Sequence, residues 1–240
     1  MHKCLHLTLN SPKCKYLIAS RKRQPHLPPR GLLLGDCILE QVQSYRYLGV
    51  LVANPTLTWK DHIQQVSIKA RKLVGMLYRQ FSTWADTSTL RCLYLTYIRP
   101  HLEYASQLWD PYTSQGIESL ESIQKFACKV CLKQWDLDYN SMLQLLDIPP
   151  LSTRRKYLKL TTMYNIVANQ SYFPPNIFVR HDFPYSTHRH ANFVRPFART
   201  QYMYSSFVPS VITTWNTLPN SIKLSSSISA FKHSLQCHFF

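Results

Sequence analysis

The stretch TWKDHIQQVSIKARKLVGMLYRQF, residues 58–81, decides the fold class. Thr58, with Asp61 three positions later, resembles a capping box at the start of a helix. The apolar residues that follow recur every three or four positions and share one face, as in a helix packed on a core: Ile63, Val66, Ala70, Leu73, Leu77 and Phe81. The sequence therefore predicts a long helix here and a helical middle of the chain.

The helical period continues beyond this segment. Asp86 or Thr87 is placed to cap a second helix, which Pro100 ends, kinks or restarts, and Ser114 is placed to cap a third. Two further segments are periodic enough to predict helices, residues 142–147 and 152–168, and the periodicity indicates order at residues 211–215 and 228–235. Between residues 174 and 210 the pattern loosens.

The first fifty residues have the period of strands instead. Leu5, Leu7 and Leu9 alternate with polar residues, so two short strands are expected within residues 4–20. A turn at Gly35 and a β-rich run over 45–52 indicate a second hairpin. We therefore predict an α+β fold in three parts: short β-hairpins over residues 1–55, a mainly helical bundle over 56–170, and an irregular basic region over 171–240.

Composition and charge narrow the classes of function. With 45% hydrophobic and 13% aromatic residues the 240-residue chain can form a core, which excludes wholesale disorder. Its 28 Lys and Arg against 12 Asp and Glu give a net charge of +16, which indicates a polyanionic partner, with nucleic acid the foremost candidate. An anionic membrane is the competing partner, but the sequence has no spanning apolar run and no lipidation signal. Seven cysteines, an odd number, favour a reducing compartment.

One basic cluster is the main candidate for phosphate contacts. It consists of four cations with two tyrosines between or near them: Arg154, Arg155, Lys156, Lys159, Tyr157 and Tyr164. Cations bind phosphates and aromatic rings stack on bases, so the cluster suits nucleic acid. The alternative is a solvated helix face whose tyrosines turn into the core.

Motifs for metal binding or catalysis are weak. Cys128 and Cys131 form a CxxC inside the predicted third helix, where buried small residues are the better interpretation than a zinc site. The remaining candidate ligands match no zinc spacing and are taken as surface residues: His181, His188, His190, Cys237 and His238. Two carboxylate pairs are taken as solvated surface charge: Glu118 with Glu121, and Asp136 with Asp138. We predict no metal site, and the sequence has no phosphate-binding glycine loop, GxSxG or HExxH.

A series of short strings, in order, resembles the C-terminal half of the reverse transcriptase of non-LTR retrotransposons, the LINE-type or jockey-like elements. In the β part these are LNSPKCK from Leu9 and SYRYLGV from Ser44, followed by LTWKDHI from Leu57. The later strings are RPHLEYAS from Arg99, WDP from Trp109, ESIQK from Glu121, LSTRR from Leu151, SF from Ser206, WNTLP from Trp215 and FK from Phe231. Together they cover nearly the whole chain.

This resemblance implies the end of a polymerase palm with its primer-grip hairpin over residues 1–55, a helical thumb over 56–170 and a post-polymerase region over 171–240. The family is an RNA-directed DNA polymerase, a nucleotidyltransferase whose two Mg²⁺ ions are held by palm aspartates in a Phe/Tyr-Ala-Asp-Asp loop. The sequence lacks that loop, which would lie before Met1. We therefore expect this fragment alone to lack polymerase activity and a cofactor, and to bind RNA or DNA template-primer. The resemblance also implies that the protein acts in the nucleus.

The same resemblance assigns residues. Lys13 would be the palm lysine that protonates departing pyrophosphate, with a surface lysine in a turn as the alternative. Tyr47, Leu48 and Gly49 would form the primer grip, where Gly49 lets the backbone approach the primer end. The alternative there is an ordinary strand with a bulge. For the whole chain, a stand-alone nucleic-acid-binding module and an inert transposon relic stay open, with no membrane or small-molecule partner expected.

Overall fold

The computed structural model describes residues 10, 13–20, 31–35, 37–53, 58–168, 177–180 and 192–240. The fold is α+β and 62% helical with short strand pairs, which confirms the predicted class. The chain divides into two compact units, residues 1–62 and 63–240. The three-part division at residues 55 and 170 stays a prediction.

Three short strand pairs form the described part of the first unit. Strands β1 and β4 are parallel, whereas β2 with β3 and β5 with β6 are antiparallel. Their bounds are β1 Lys15–Tyr16, β2 Leu33–Leu34, β3 Cys37–Ile38, β4 Glu40–Gln41, β5 Ser44–Tyr47 and β6 Val50–Ala53. The predicted second hairpin is thus two hairpins, β2–β3 and β5–β6. The strand predicted from the leucine alternation before residue 10 lies outside the described residues.

The β5–β6 hairpin has a two-residue turn. Tyr47 pairs with Val50, so Leu48 and Gly49 form the connection. Both have positive φ, +46° and +85°, which is the pattern of the type I′ turn whose twist matches that of the flanking strands. Glycine adopts this conformation freely, whereas a leucine rarely does. Gly49 therefore belongs to the turn, and the alternative of a bulge within a strand is wrong.

Helix α1, Lys60–Phe81, is the long helix predicted from its apolar stripe. It begins one residue later than the predicted capping box requires, because Thr58 as N-cap would place the first helical residue at Trp59. Trp59, in the left-handed conformation with φ +59°, directly precedes the helix, so Thr58 is not its N-cap. The stripe itself is confirmed, since Ile63, Ala70 and Leu77 are buried.

His62 fixes the start of α1 to the hairpin strand β6. Its Nδ1 accepts a hydrogen bond from the backbone N–H of Leu51 at 3.1 Å, and the side chain is buried. Burial first, and the charge of Arg46 second, lower the pKa of His62. A protonated ring has no acceptor nitrogen, so the bond to Leu51 needs the neutral form.

The lowered pKa of His62 predicts a loss of stability in mild acid. The folded state binds this proton less readily than the unfolded chain, so the contribution is complete above about pH 6.5 and is lost as the pH falls through the lowered folded value. Urea unfolding between about pH 7 and pH 5 should show a falling free energy of unfolding, with a shallower fall in His62→Gln. Parallel slopes for His62→Gln and the parent protein would contradict this role.

The described part of the second unit is helical. The first group runs to residue 168: α2 Thr87–Leu93, a π-helical turn Tyr94–Ile98, α3 Arg99–Glu103, α4 Ser106–Trp109, α5 Ser114–Leu132, α6 Tyr139–Leu146 and α7 Leu151–Ala168. The Asp86 carboxylate caps α2 by accepting from the Thr89 N–H, and α3 restarts with Pro100 in its first turn, as predicted. Thr113 rather than Ser114 caps α5. None of the helices in the described ranges is long and apolar enough to cross a membrane.

Most of the predicted irregular C-terminal region is helical. It contains α8 Gln201–Ser205, α9 Phe207–Thr217, α10 Asn220–Lys223 and α11 Ile228–Phe239. The prediction of irregular structure is therefore wrong for most of residues 201–239, where the periodicity indicates order only at 211–215 and 228–235. Helix α9 is rich in β-branched and hydroxyl residues with low helix propensity, so its sequence alone favours a helix weakly. Tertiary packing supplies the stability that the helix propensity of these residues does not.

That packing joins α7 to the C-terminal helices. Trp215 of α9 stacks on Phe231 of α11 with ring centroids 5.6 Å apart, and Tyr164 of α7 stacks on Phe231 at 4.3 Å. Leu160 and Met163 of α7 are buried in the same cluster. One hydrophobic core thus spans both sides of residue 170.

Candidate nucleic-acid interface

The predicted phosphate-binding cluster on α7 is mostly turned inward. Arg154 donates to Glu103 twice, from Nε to Oε1 at 2.8 Å and from Nη2 to Oε2 at 2.9 Å. This two-bond geometry is the strongest form of the Arg–carboxylate pair, and these bonds raise the pKa of Arg154. Arg99 approaches the same carboxylate at 3.5 Å. The Arg154 guanidinium is therefore committed to a structural contact between α7 and α3.

Asp110 holds the next two cations of the cluster. Its Oδ1 accepts from Nε of Arg155 at 2.7 Å, and its Oδ2 lies 2.7 Å from Nζ of Lys159. Lys159 also donates to Oγ of Ser210 at 3.1 Å. Arg155 and Lys159 are both buried, at 1% and 7% exposure. Phosphates cannot reach them in this fold.

The structure thus corrects the sequence interpretation of this cluster. Of its four cations, Lys156 alone is exposed. The reason is long-range: the carboxylates of Glu103 and Asp110 lie more than forty residues earlier in the chain. The local pattern of charges gave no sign of them.

Glu121 is a helix cap rather than a surface charge. Its carboxylate accepts from the backbone N–H of Ser152 at 2.7 Å and of Leu151 at 3.3 Å, at the positive end of α7. The Tyr139 hydroxyl also donates to it at 2.7 Å, and burial raises the pKa of that hydroxyl. Asp138 likewise caps α6. The interpretation of Glu121 as solvated surface charge is wrong, whereas Glu118, Asp136 and Asp138 are exposed.

Residues from the strings that carry the family resemblance meet in these contacts. The pair Glu103–Arg154 joins the RPHLEYAS string to the LSTRR string, and the pair Asp110–Arg155 joins WDP to the same LSTRR string. Gln124 from ESIQK donates to the carbonyl of Pro149 at 2.9 Å, directly before LSTRR. Strings far apart in sequence are therefore paired inside one helical unit.

The CxxC lies in the helix interior, as predicted. Cys128 and Cys131 of α5 are fully buried, and burial raises the pKa of each thiol to about 12. The three candidate histidines at positions 181, 188 and 190 lie outside the described residues. Among the residues that the structure describes, no group of three His, Cys, Asp or Glu side chains is placed to hold a metal.

The structure brings the predicted primer-grip residues together at one exposed tip. Tyr47 and Leu48 are 64% and 73% exposed, and Gly49 completes the turn between them and β6. The Arg46 guanidinium donates to the Gly49 carbonyl at 3.4 Å. Lys13 is exposed, and its backbone N–H donates to the Asn10 carbonyl at 3.0 Å, which is a turn. Lys13 is therefore a surface lysine in a turn.

A second exposed basic surface was missed by the sequence reasoning. Within the second unit, α1 has four exposed cations: Lys69, Arg71, Lys72 and Arg79. We call these four residues the α1 basic face. Residues 63–81 contain no acidic residue. The signal was available, since these cations occupy the helix positions outside the apolar stripe. Such a face can contact successive phosphates without reading bases.

Comparison of the chain with protein-family models, with curated proteins and with solved structures gives no match. The chemistry of the exposed residues is therefore the basis for a function. Several carboxylates are used internally or as caps, among them Glu103, Asp110 and Glu121.

Proposed function

We propose that this chain binds primed template nucleic acid through phosphate contacts, as the thumb-containing part of a non-LTR retrotransposon reverse transcriptase. The observation that carries the proposal is the α1 basic face, four exposed cations without an acid on that length of helix. In a chain with a net charge of +16, a surface of this kind suits the backbone of a nucleic acid.

The pairing of the resembling strings supports the family part of the proposal. Glu103 with Arg154 and Asp110 with Arg155 are buried or half-buried ion pairs. Losing one partner of such a pair is costly, so the strings are expected to persist together. One helical fold then explains why the strings occur in this order and at this spacing. Members of a family share such a fold, so the pairing supports the resemblance.

We attribute a preference for the primer end to the exposed tip of the β5–β6 hairpin. An exposed tyrosine and a glycine-containing turn let a backbone come close to a strand terminus. Under this proposal Tyr47, Leu48 and Gly49 grip the primer, while the α1 basic face and Lys156 contact phosphates.

Fluorescence anisotropy with a labelled DNA primer on an RNA template tests the proposal. Saturable binding with a Kd of about 10⁻⁴ to 10⁻⁶ M near physiological salt is expected, as for phosphate-dominated complexes. Absence of binding would contradict the proposal and favour an inert relic. A blunt duplex of equal length separates the remaining alternative, because a stand-alone binding module would bind both equally, whereas a primer grip favours the recessed end.

A further inference from the structure

An exposed tryptophan is held by aromatic rings beyond the end of α5. Trp135 is 46% exposed. Tyr78 of α1 meets its ring edge-on at a centroid distance of 6.0 Å, and Phe126 of α5 lies at 6.2 Å, tilted by 44°. The neighbours fix the position of the indole, yet nearly half of it is open to solvent. A fixed, open indole is the form that base-stacking residues take in single-strand-binding proteins.

Lysines lead along α5 to this tryptophan. Lys125 and Lys129 lie four residues apart on the last two turns of α5, which places them on one side of the helix, and Lys133 is the residue that ends it. The ammonium of Lys129 lies 5.8 Å from the centre of the Trp135 ring. The loop between α5 and α6 contributes two exposed carboxylates, Asp136 and Asp138, against the three lysines of the patch.

The patch continues into the α1 basic face. Oγ of Ser67 and Oγ of Ser119 are 3.1 Å apart, and Nη2 of Arg71 donates to Oγ of Ser122 at 3.3 Å. These contacts, with Tyr78 against Trp135, hold α1 beside α5 along the second unit. Arg71 of the α1 basic face thus lies on the same side of α1 as Trp135.

We infer that Trp135, with Lys125, Lys129 and Lys133, binds an unpaired nucleic-acid strand, whose bases stack on the indole and whose phosphates follow the lysines. This inference rests on the proposed function and adds the class of strand to it. Bases in a duplex are already stacked on their neighbours, so the indole selects unpaired nucleotides such as the template beyond a primer end. Cations along the approach favour a polyanion over an apolar protein segment.

The test compares Trp135→Ala with the parent protein in binding a labelled oligothymidylate and an abasic strand of the same length. Loss of stacking should weaken oligothymidylate binding about tenfold, while binding of the abasic strand and of a blunt duplex changes little. Trp135→Phe keeps a stacking ring and should lose less. Trp84→Ala is the matched control, since Trp84 is the other exposed tryptophan and packs on Phe81 at 5.4 Å.

A second measurement needs no variant. Strands carrying 5-iodouracil, irradiated on the parent protein, should crosslink to Trp135 or Tyr78. The inference would be overturned if Trp135→Ala bound oligothymidylate as tightly as the parent protein, or if it lost equal affinity for the oligothymidylate and the abasic strand. Binding of duplex would still support the proposed function in either case. Crosslinks confined to other residues would also overturn it. Absence of all nucleic-acid binding would overturn both.

Discussion

Replacement of Asp110 by alanine is expected to lower the free energy of unfolding by about 3–5 kcal/mol, which is the cost of leaving buried charge without its partner. The Asp110 carboxylate bridges Arg155 and Lys159, whose side chains are 2% and 9% exposed. Both cations would lose their counter-charge in a place that water hardly reaches. Asp110 itself is 21% exposed, so some water entry should keep the loss toward the lower end of the range.

Urea unfolding followed by circular dichroism measures this loss. Asp136→Ala provides the control, because an exposed carboxylate away from such a pair should change stability by no more than about 0.5 kcal/mol. Asp110→Asn retains one acceptor oxygen and should fall between the two. If Asp110→Ala unfolds with the stability of the parent protein, the ion pairs do not hold α7 as described.

Neutralising the α1 basic face is expected to weaken binding of primed duplex about a hundredfold at about 0.1 M salt. The variant replaces Lys69, Arg71, Lys72 and Arg79 with glutamine. All four side chains are exposed, so the fold should survive the change. Each lost phosphate contact also lowers the salt dependence of binding, by about one unit of log Kd per log salt.

A matched variant separates local contacts from net charge. Glutamine at four other exposed cations, Arg180, Arg195, Arg199 and Lys232, gives the same net charge of +12, four below the parent. This variant should bind nearly as well as the parent protein. Equal weakening by both variants would show that total charge, rather than the α1 face, determines the affinity.

Local sequence patterns predicted the helices well where apolar residues and caps agree. The stripe of α1 and the Asp86 cap of α2 are examples, since both depend on residues within a few positions of each other. Helices α8 and α10 were missed because they are short, at five and four residues. Helix α8 has no buried residue and is capped by Thr200, whose side chain accepts from the Met203 N–H, whereas α10 buries Ile222 and Lys223.

The candidate site was harder to predict, because a cation's partner decides its role. Arg155 and Lys156 are adjacent in sequence and were given the same function, yet one is buried against Asp110 and the other is exposed. Only the packing of α7 against the residues before α5 distinguishes them. Trp135 carried a readable signal, three lysines at four-residue spacing before it, but its open face depends on Tyr78 from another helix.

Salt titration of primed-duplex binding tests the central claim most directly. If the exposed cations contact phosphates, the logarithm of the binding constant falls linearly with the logarithm of the salt concentration. Four contacts from the α1 basic face predict a slope of about −3 to −4, or a loss of about a hundredfold between about 50 and about 200 mM salt. Binding that does not change with salt, or the absence of a complex at the lower salt concentration, would contradict the claim that this protein binds the phosphate backbone of nucleic acid.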